Sequence, residues 1–243
     1  MNTLNIVIPV LNEERSLVRG IETTISYLTN TIFNESYSIT IADNGSTDKT
    51  QEIALELCNI YTNVDYFKVS KKGVGLAFRE AIIRNKCDFI GYMDVDLATE
   101  LRYLVEVYNT MYDGKADIVV GSRLLQGAKV VGRSVKREIT SRGLNILLHI
   151  FLGVKFSDAM CGFKFYRREI AERLVAECSK TDGWFFCAEM MIQAEWDNIS
   201  IHEIPIEWHD DDKSKVKIVS LSADYLSEIV RLYKKKKKLR RSS

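Results

Sequence analysis

Prolines are scarce, with only Pro9 and Pro205 among 243 residues. Few segments are therefore barred from helix or sheet by a missing N–H. The five cysteines, Cys58, Cys87, Cys161, Cys178 and Cys187, form no C-x-x-C pair and are odd in number. That argues against a disulfide framework or a cysteine zinc site and predicts reduced thiols in a cytosolic setting. No apolar run reaches the ~18–20 residues of a membrane span. The nearest approach, from Leu144 to Phe156, is broken by His149 and Lys155. No signal peptide is expected, because Asn2, Thr3 and Asn5 stand where basic residues would lie, and Glu13, Glu14 and Arg15 cut the apolar run short. The dinucleotide pattern G-x-G-x-x-G is absent, since position 78 is Phe, and so is the Walker pattern.

What is present suits one large α/β domain. Apolar residues make up 46% of the chain, enough for a full core. Charge is unevenly spread. Seven of the 34 basic residues fall in 234–241, where no acid occurs; the other 27 face 33 acids, so the body is acidic. Ahead of this tail, Leu221, Tyr225, Leu226, Ile229, Val230 and Tyr233 recur at helical spacing. Residues 221–243 therefore read as an amphipathic helix with a polybasic end. It suits an anionic membrane surface rather than nucleic acid, or else a solvated terminus.

Strand and helix patterns alternate over the first ~120 residues, which implies a largely parallel sheet covered on both faces. Right-handed crossovers would bring the strand carboxyl ends to one rim. That rim should collect Pro9–Glu13, Asp43, the basic turn Lys71-Lys72-Gly73-Val74-Gly75, the acids Asp94 and Asp96, and Ser122-Arg123. Beyond it, the pattern predicts a helix near 136–152, a strand over 161–166, helices near 167–178 and 184–197, and a strand near 199–206. The 136–156 apolar pattern fits either the core or a membrane contact.

The segment Phe89-Ile90-Gly91-Tyr92-Met93-Asp94-Val95-Asp96 carries the chemistry. It reads as a buried strand ending in two acids at i and i+2, which share a side in extended backbone. Paired carboxylates at a strand's carboxyl end suit a hard divalent cation together with phosphates. Gly73 and Gly75 could let backbone approach an anion at a helix start, or simply form a turn. Asp43 could bind a nucleobase or ribose, or shape its own Asn-Gly turn. Arg123 could hold a diphosphate.

Together these segments resemble the family 2 glycosyltransferases of GT-A fold. Ile8-Pro9-Val10-Leu11-Asn12-Glu13-Glu14 resembles V-P-x-x-N-E-E. Asp43-Asn44-Gly45-Ser46-Thr47-Asp48 resembles D-D-G-S-x-D, Asp94-Val95-Asp96 the D-x-D, and Gly121-Ser122-Arg123 the G-S-R. Asp158-Ala159-Met160-Cys161-Gly162-Phe163-Lys164, Trp184-Phe185-Phe186 with Glu189, and Ile204-Pro205-Ile206-Glu207-Trp208 with Ser214-Lys215-Val216 resemble segments of polyprenyl-phosphate glycosyltransferases, dolichyl-phosphate β-glucosyltransferases above all.

The resemblance implies a single Rossmann-like GT-A domain over 1–220, with helices on both faces of a mostly parallel sheet. Pro9, Leu11, Glu13 and Asp43 would line the nucleoside pocket. Asp94 and Asp96, with Val95 between them, would hold Mg²⁺ or Mn²⁺ and the donor diphosphate. Arg123, with Arg133 or Arg137, would meet phosphates. Lys215 would lie on a charged loop, His209–Lys217, closing over the donor. Asp158, Lys164 and Glu189 would shape the sugar and acceptor side, and Asp158 or Glu189 would be the base if the acceptor were a hydroxyl. The implied reaction moves a hexose, glucose from UDP-glucose, to a polyprenyl phosphate with inversion, by an enzyme peripheral on the cytoplasmic face of a membrane. The alternatives are a soluble transferase extending a glycan through a hydroxyl, and a silent sugar-nucleotide-binding module.

Overall fold

The computed structural model describes residues 3–31, 36–210 and 218–242, with side chains over 3–31, 36–210 and 224–238. The elements run β1 (Leu4–Val10), α1 (Leu17–Thr29), β2 (Tyr37–Asp43), α2 (Thr50–Ile60), β3 (Val64–Lys68), α3 (Val74–Arg84), β4 (Phe89–Met93), α4 (Tyr103–Tyr112) and β5 (Ile118–Ser122). There follow β6 (Lys129–Val131), α5 (Val135–Leu147) continued by a wider π-type turn over Leu148–Leu152, β7 (Phe163–Arg167), α6 (Arg168–Glu177), α7 (Phe185–Trp196), β8 (Ile201–Pro205), β9 (Glu207–His209) and α8 (Ile218–Ser242). The strand–helix alternation expected over the first ~120 residues is present from β1 to β5; beyond it the order is less regular, with β5 followed by β6, α6 by α7 and β8 by β9.

Seven strands form one sheet in the order β3-β2-β1-β4-β7-β5-β8, and β6 pairs with β9 alone. Strand residues alternate between two cores, because successive side chains leave opposite faces. Ile6 and Ile8 of β1 pack with Leu17 and Ile21 of α1 and Leu104 of α4. Val7 packs on the other face with Ala77 and Phe78 of α3, Leu174 of α6 and Met190 of α7. Ten of the twelve residues of α7 are buried, which fits a helix apolar around its whole circumference.

The sheet is mostly parallel, as expected, with one antiparallel strand at a place that matters. β7 runs antiparallel between β4 and β5. Its start, not its end, therefore reaches the functional rim. The register Met93↔Phe163 sets Gly162 beside the residue that follows β4, Asp94.

Candidate active site

The first two loops of the rim are laced together. The Asn12 amide donates to Ser46 Oγ at 3.0 Å and the Asn12 side-chain carbonyl accepts from the Thr47 amide at 2.8 Å. The Glu13 amide donates to Thr50 Oγ1 at 2.8 Å. Asp48, one residue ahead of the Lys49 N-cap, accepts the Thr50 amide at the start of α2 at 3.0 Å. Pro9, Leu11 and Glu13 line this edge, all half-buried. Asp43 is fully buried: it accepts the Ser46 amide at 2.7 Å and the Tyr66 hydroxyl at 2.9 Å, with Lys68 Nζ 4.0 Å away. Its carboxylate thus fixes the turn after β2, the second of the two roles open to it from sequence.

Asp94 follows β4 directly and is half-buried, while Asp96 is exposed. Burial pushes the Asp94 carboxyl up to about 7; the nearby Asp96 carboxylate and that of Glu13 add to this, and Arg123 and Lys164 oppose it. The coupling places Asp94, Asp96, Glu13, Arg123 and Lys164 in one neighbourhood. Two close-packed glycines make room for the acid turn. A Cβ on Gly162 would collide with the Asp94 carboxylate, and one on Gly20 of α1 with the Val95 carbonyl. The turn closes with the Leu97 amide on the Asp94 carbonyl at 3.2 Å and Leu97 at φ 58°. A left-handed leucine is a costly conformation that surrounding structure must impose.

On the other side of Asp94, Arg123 and Asp158 form a buried two-pronged ion pair, Nε–Oδ2 2.7 Å and Nη2–Oδ1 3.0 Å. The Arg123 guanidinium also lies over the Trp208 ring, 4.9 Å from its centroid. Burial alone would raise the Asp158 carboxyl, but the Arg123 guanidinium outweighs it, with Lys164 adding, and holds it at about 2. The Asp158 loop is pinned from three elements: Glu195 of α7 accepts the Lys155 and Phe156 amides, Glu203 of β8 the Ser157 amide, and Asn145 of α5 the Ala159 amide. Asp158 pairs with Arg123, not with the Lys164, Arg167 or Arg168 that its neighbourhood in sequence suggests. So held, it is a permanent carboxylate and a poor proton acceptor.

Arg133 sits next to this pair with its side chain 8% exposed. Its Nε is 3.4 Å from Glu138, yet Nε and Nη1 are buried without a hydrogen-bond partner among the described residues. Burial, then the nearby Arg123 charge, lowers its pKa. Arg137 is engaged with Asp210 at 2.7 Å. Lys164 is fully buried on β7, where it donates to the Cys161 carbonyl and, at 3.3 Å, to the Tyr92 hydroxyl; burial lowers its pKa too.

Three expected site residues lie elsewhere or have other tasks. The Gly73 amide donates to the Asn44 side chain, and the Gly75 amide to the Asp182 carbonyl at 2.8 Å. A Cβ at either glycine would strike the 181–183 segment, so this turn packs against protein and its amides are occupied. Glu189 of α7 is buried against Ser179 and Arg231 of α8. Lys215, with 211–217 of the charged loop, lies outside the described residues. Gly162 and Trp208 stand in motifs of the sequence that do not reveal their tasks; Gly162 makes room for Asp94 through the reversed β7, and Trp208 lies beneath Arg123.

The family model for glycosyl transferase family 2 matches residues 5–175. The chain belongs to that family. Its members are glycosyltransferases, and the Asp94–Asp96 turn, the laced loops after β1 and β2 and the Arg123–Asp158 pair all fall inside the matched span. Glycosyltransferase AglD of Haloferax volcanii is 29% identical over 231 residues, 95% of this chain, although the chain spans only 37% of that protein. The dolichyl-phosphate β-glucosyltransferase of Saccharomyces cerevisiae is 28% identical over 245 residues, covering 93% of this chain and 73% of that one. A further dolichyl-phosphate β-glucosyltransferase, ALG5D of Trichomonas vaginalis, is 29% identical over 88% of this chain and 68% of its own length. Among solved structures, glucosyl-3-phosphoglycerate synthase of Mycobacterium tuberculosis superposes with a TM-score of 0.67 at 18% identity, covering 96% of this chain and 80% of that one. At that identity the likeness establishes the GT-A fold. Among the described residues, no helix is long and apolar enough to cross a membrane.

Proposed function

We propose that this family 2 transferase moves glucose from UDP-glucose to a polyprenyl phosphate, with inversion, at the cytoplasmic face of a membrane. One observation on the acceptor side carries the reading. Both candidate bases are committed, Asp158 to Arg123 and Glu189 to Arg231. Near Asp158, the Arg133 guanidinium keeps Nε and Nη1 buried with no hydrogen-bond partner among the described residues. A hydroxyl acceptor needs a carboxylate to take its proton. A phosphate acceptor is already an anion and needs aim and a counter-charge, which Arg133 supplies. The names of the yeast and Trichomonas relatives support a lipid-phosphate acceptor and glucose. The mycobacterial structures, which hold UDP-glucose and Mn²⁺, support the donor.

Asp94 and Asp96 are the residues that would hold Mg²⁺ or Mn²⁺. They fit one, because two close carboxylates, one of them driven toward its protonated form, are relieved by a cation, and Gly162 leaves the Asp94 carboxylate room. When bound, the metal neutralises the departing diphosphate. The chain's own residues do the rest. Pro9, Leu11, Glu13 and the turn fixed by Asp43 seat the nucleoside, and the Arg123–Asp158 pair on Trp208 forms a rigid wall behind the sugar. The bond from the anomeric carbon to the diphosphate breaks through an oxocarbenium-like state. An oxygen of the lipid phosphate, aligned by Arg133, bonds the opposite face.

The test is transfer of labelled glucose from UDP-glucose, with Mn²⁺, to polyprenyl phosphate in detergent or to an oligosaccharide. Label should enter the lipid, and label in the oligosaccharide alone overturns the reading. Asp94→Asn and Asp96→Asn should each lose about 10²–10³-fold in turnover while staying folded.

A further inference from the structure

α5 has two opposite faces. Ser141, Asn145, Leu148 and Leu152 point inward and are buried. Val135, Ile139, Ile146 and Ile150 point outward and are 75%, 66%, 55% and 70% exposed. Their spacing of four, seven and four residues puts them on one stripe. Gly143 falls in the same stripe, and a Cβ there would meet nothing within 4 Å.

α8 repeats the arrangement. Tyr225, Ile229 and Leu232 are buried, while Leu226, Val230 and Tyr233 are about half exposed along the outer face. The two stripes meet where the Phe151 and Tyr233 rings pack edge to face, 6.2 Å apart, and Lys236 ties the helices by donating to the Leu152 carbonyl. Eight of the fourteen large apolar side chains exposed among the described residues lie on this one face. Singly scattered apolar residues need no explanation, but a gathered face does.

We propose that the outer stripes of α5 and α8 form one surface that docks on an anionic lipid bilayer. Charge decides the occupant. Lys136 and Arg142 flank the α5 stripe, and Lys234, Lys237 and Lys238 are exposed where the α8 stripe ends. Both helices thus set basic side chains at the edge of an apolar band, the pattern of a surface that sinks its apolar face to the headgroup boundary and gathers anionic lipid around it. Among the described side chains of the two helices, the exposed charged ones are Lys136, Arg142, Lys234, Lys237 and Lys238 against the single acid Asp224, so charge favours an anionic surface over a second copy of the chain. Docking also serves the site, because α5 begins one residue after the Ser134 that follows Arg133 and carries Arg137 in its first turn. A bilayer under the stripe brings phosphate headgroups to the end of the helix that Arg133 precedes. The surface deepens the proposed function, resting on it for the purpose of docking but not for its existence.

The experiment is co-sedimentation of the full chain with phosphatidylcholine vesicles, plain or carrying roughly 30% phosphatidylglycerol, without donor or acceptor. Binding should need the anionic lipid and weaken with salt. Combined Ile139→Glu, Ile146→Glu and Ile150→Glu should lower it by at least about tenfold, while Gly143→Leu, in open space on the same stripe, should raise it. Turnover with acceptor dispersed in detergent should be unchanged in both variants, which separates a failed surface from a failed reaction. Undiminished vesicle binding by the triple variant overturns the proposal. So does a wild-type dimer in solution that those substitutions dissolve while vesicles capture neither form.

Discussion

The proposed donor and acceptor sides of the rim differ in the sign of the charge they crowd together. On the donor side, the loops after β1 and β2 are bonded to each other, and the crowding is negative: burial raises the Asp94 carboxyl, and the nearby Asp96 and Glu13 carboxylates add to it. On the acceptor side, the buried charges come from segments far apart in sequence, and the crowding is positive: Arg133 lies near Arg123. A scaffold with no ligand to serve gains nothing from either, since buried like charge is costly. The two crowded regions have opposite sign, which suits a cation with its diphosphate on one side and an anionic acceptor on the other.

The sharpest way to break this comparison is to unpair the acceptor side. Asp158→Asn leaves Arg123 buried without its counter-charge and should cost about 3–5 kcal/mol in urea unfolding at neutral pH. The pH dependence has a fixed sign. Asp158 titrates at about 2 in the folded chain, below the ~3.9 of an unfolded aspartate. Its contribution is therefore present above about pH 4 and is lost as pH falls toward 2. The variant should lack that part of the acid-induced loss; an unchanged acid limb would mean the ion pair does not stabilise the fold.

Asp94 should behave in the opposite way. Its folded pKa of about 7 lies above the unfolded value of ~3.9. Its contribution is therefore favourable below about pH 4 and is lost as pH rises through 7. In the presence of chelator, Asp94→Asn should be more stable than the wild type at pH 8, by about 1–3 kcal/mol, despite its expected loss of turnover. Equal stability at pH 8, measured by denaturant midpoints, would remove the argument that the acid pair is frustrated without a cation.

Much of the donor side was legible in sequence because its structure is local. β1, α1, β2 and the helices around them follow from periods of 2 and 3.6, and the acid pair follows from strand alternation. The acceptor side was less legible. Nothing in Phe163–Arg167 states that β7 runs backwards, so Gly162 could not be assigned to Asp94 from spacing. Arg123 and Asp158 lie 35 residues apart and each had nearer partners of opposite charge. The tasks of Gly73 and Gly75 depended on the 181–183 segment, more than a hundred residues away. The 136–156 pattern was ambiguous for a physical reason: α5 carries an apolar stripe on its solvent face as well as buried positions, and periodicity alone does not say which stripe faces the core.

The smallest expected effect is also the one that best separates the two sides. Arg133→Met keeps most of the side-chain volume and removes the charge whose Nε and Nη1 lack partners. If that guanidinium served the fold, its loss would destabilise the chain, as breaking a buried pair does. If it is kept for a ligand, the fold should be unmoved or slightly more stable, within about 1 kcal/mol, because a buried charge short of hydrogen bonds is itself unfavourable. Catalysis should then shift in one parameter: KM for the lipid phosphate rises by about tenfold, the loss of one charge-assisted contact, while KM for UDP-glucose stays where it was. Arg133→Lys restores the charge but not the planar fork, and should recover only part of the loss. A rise in the donor's KM instead would place Arg133 on the nucleotide side, and the division of the rim into a negative donor half and a positive acceptor half would have to be redrawn.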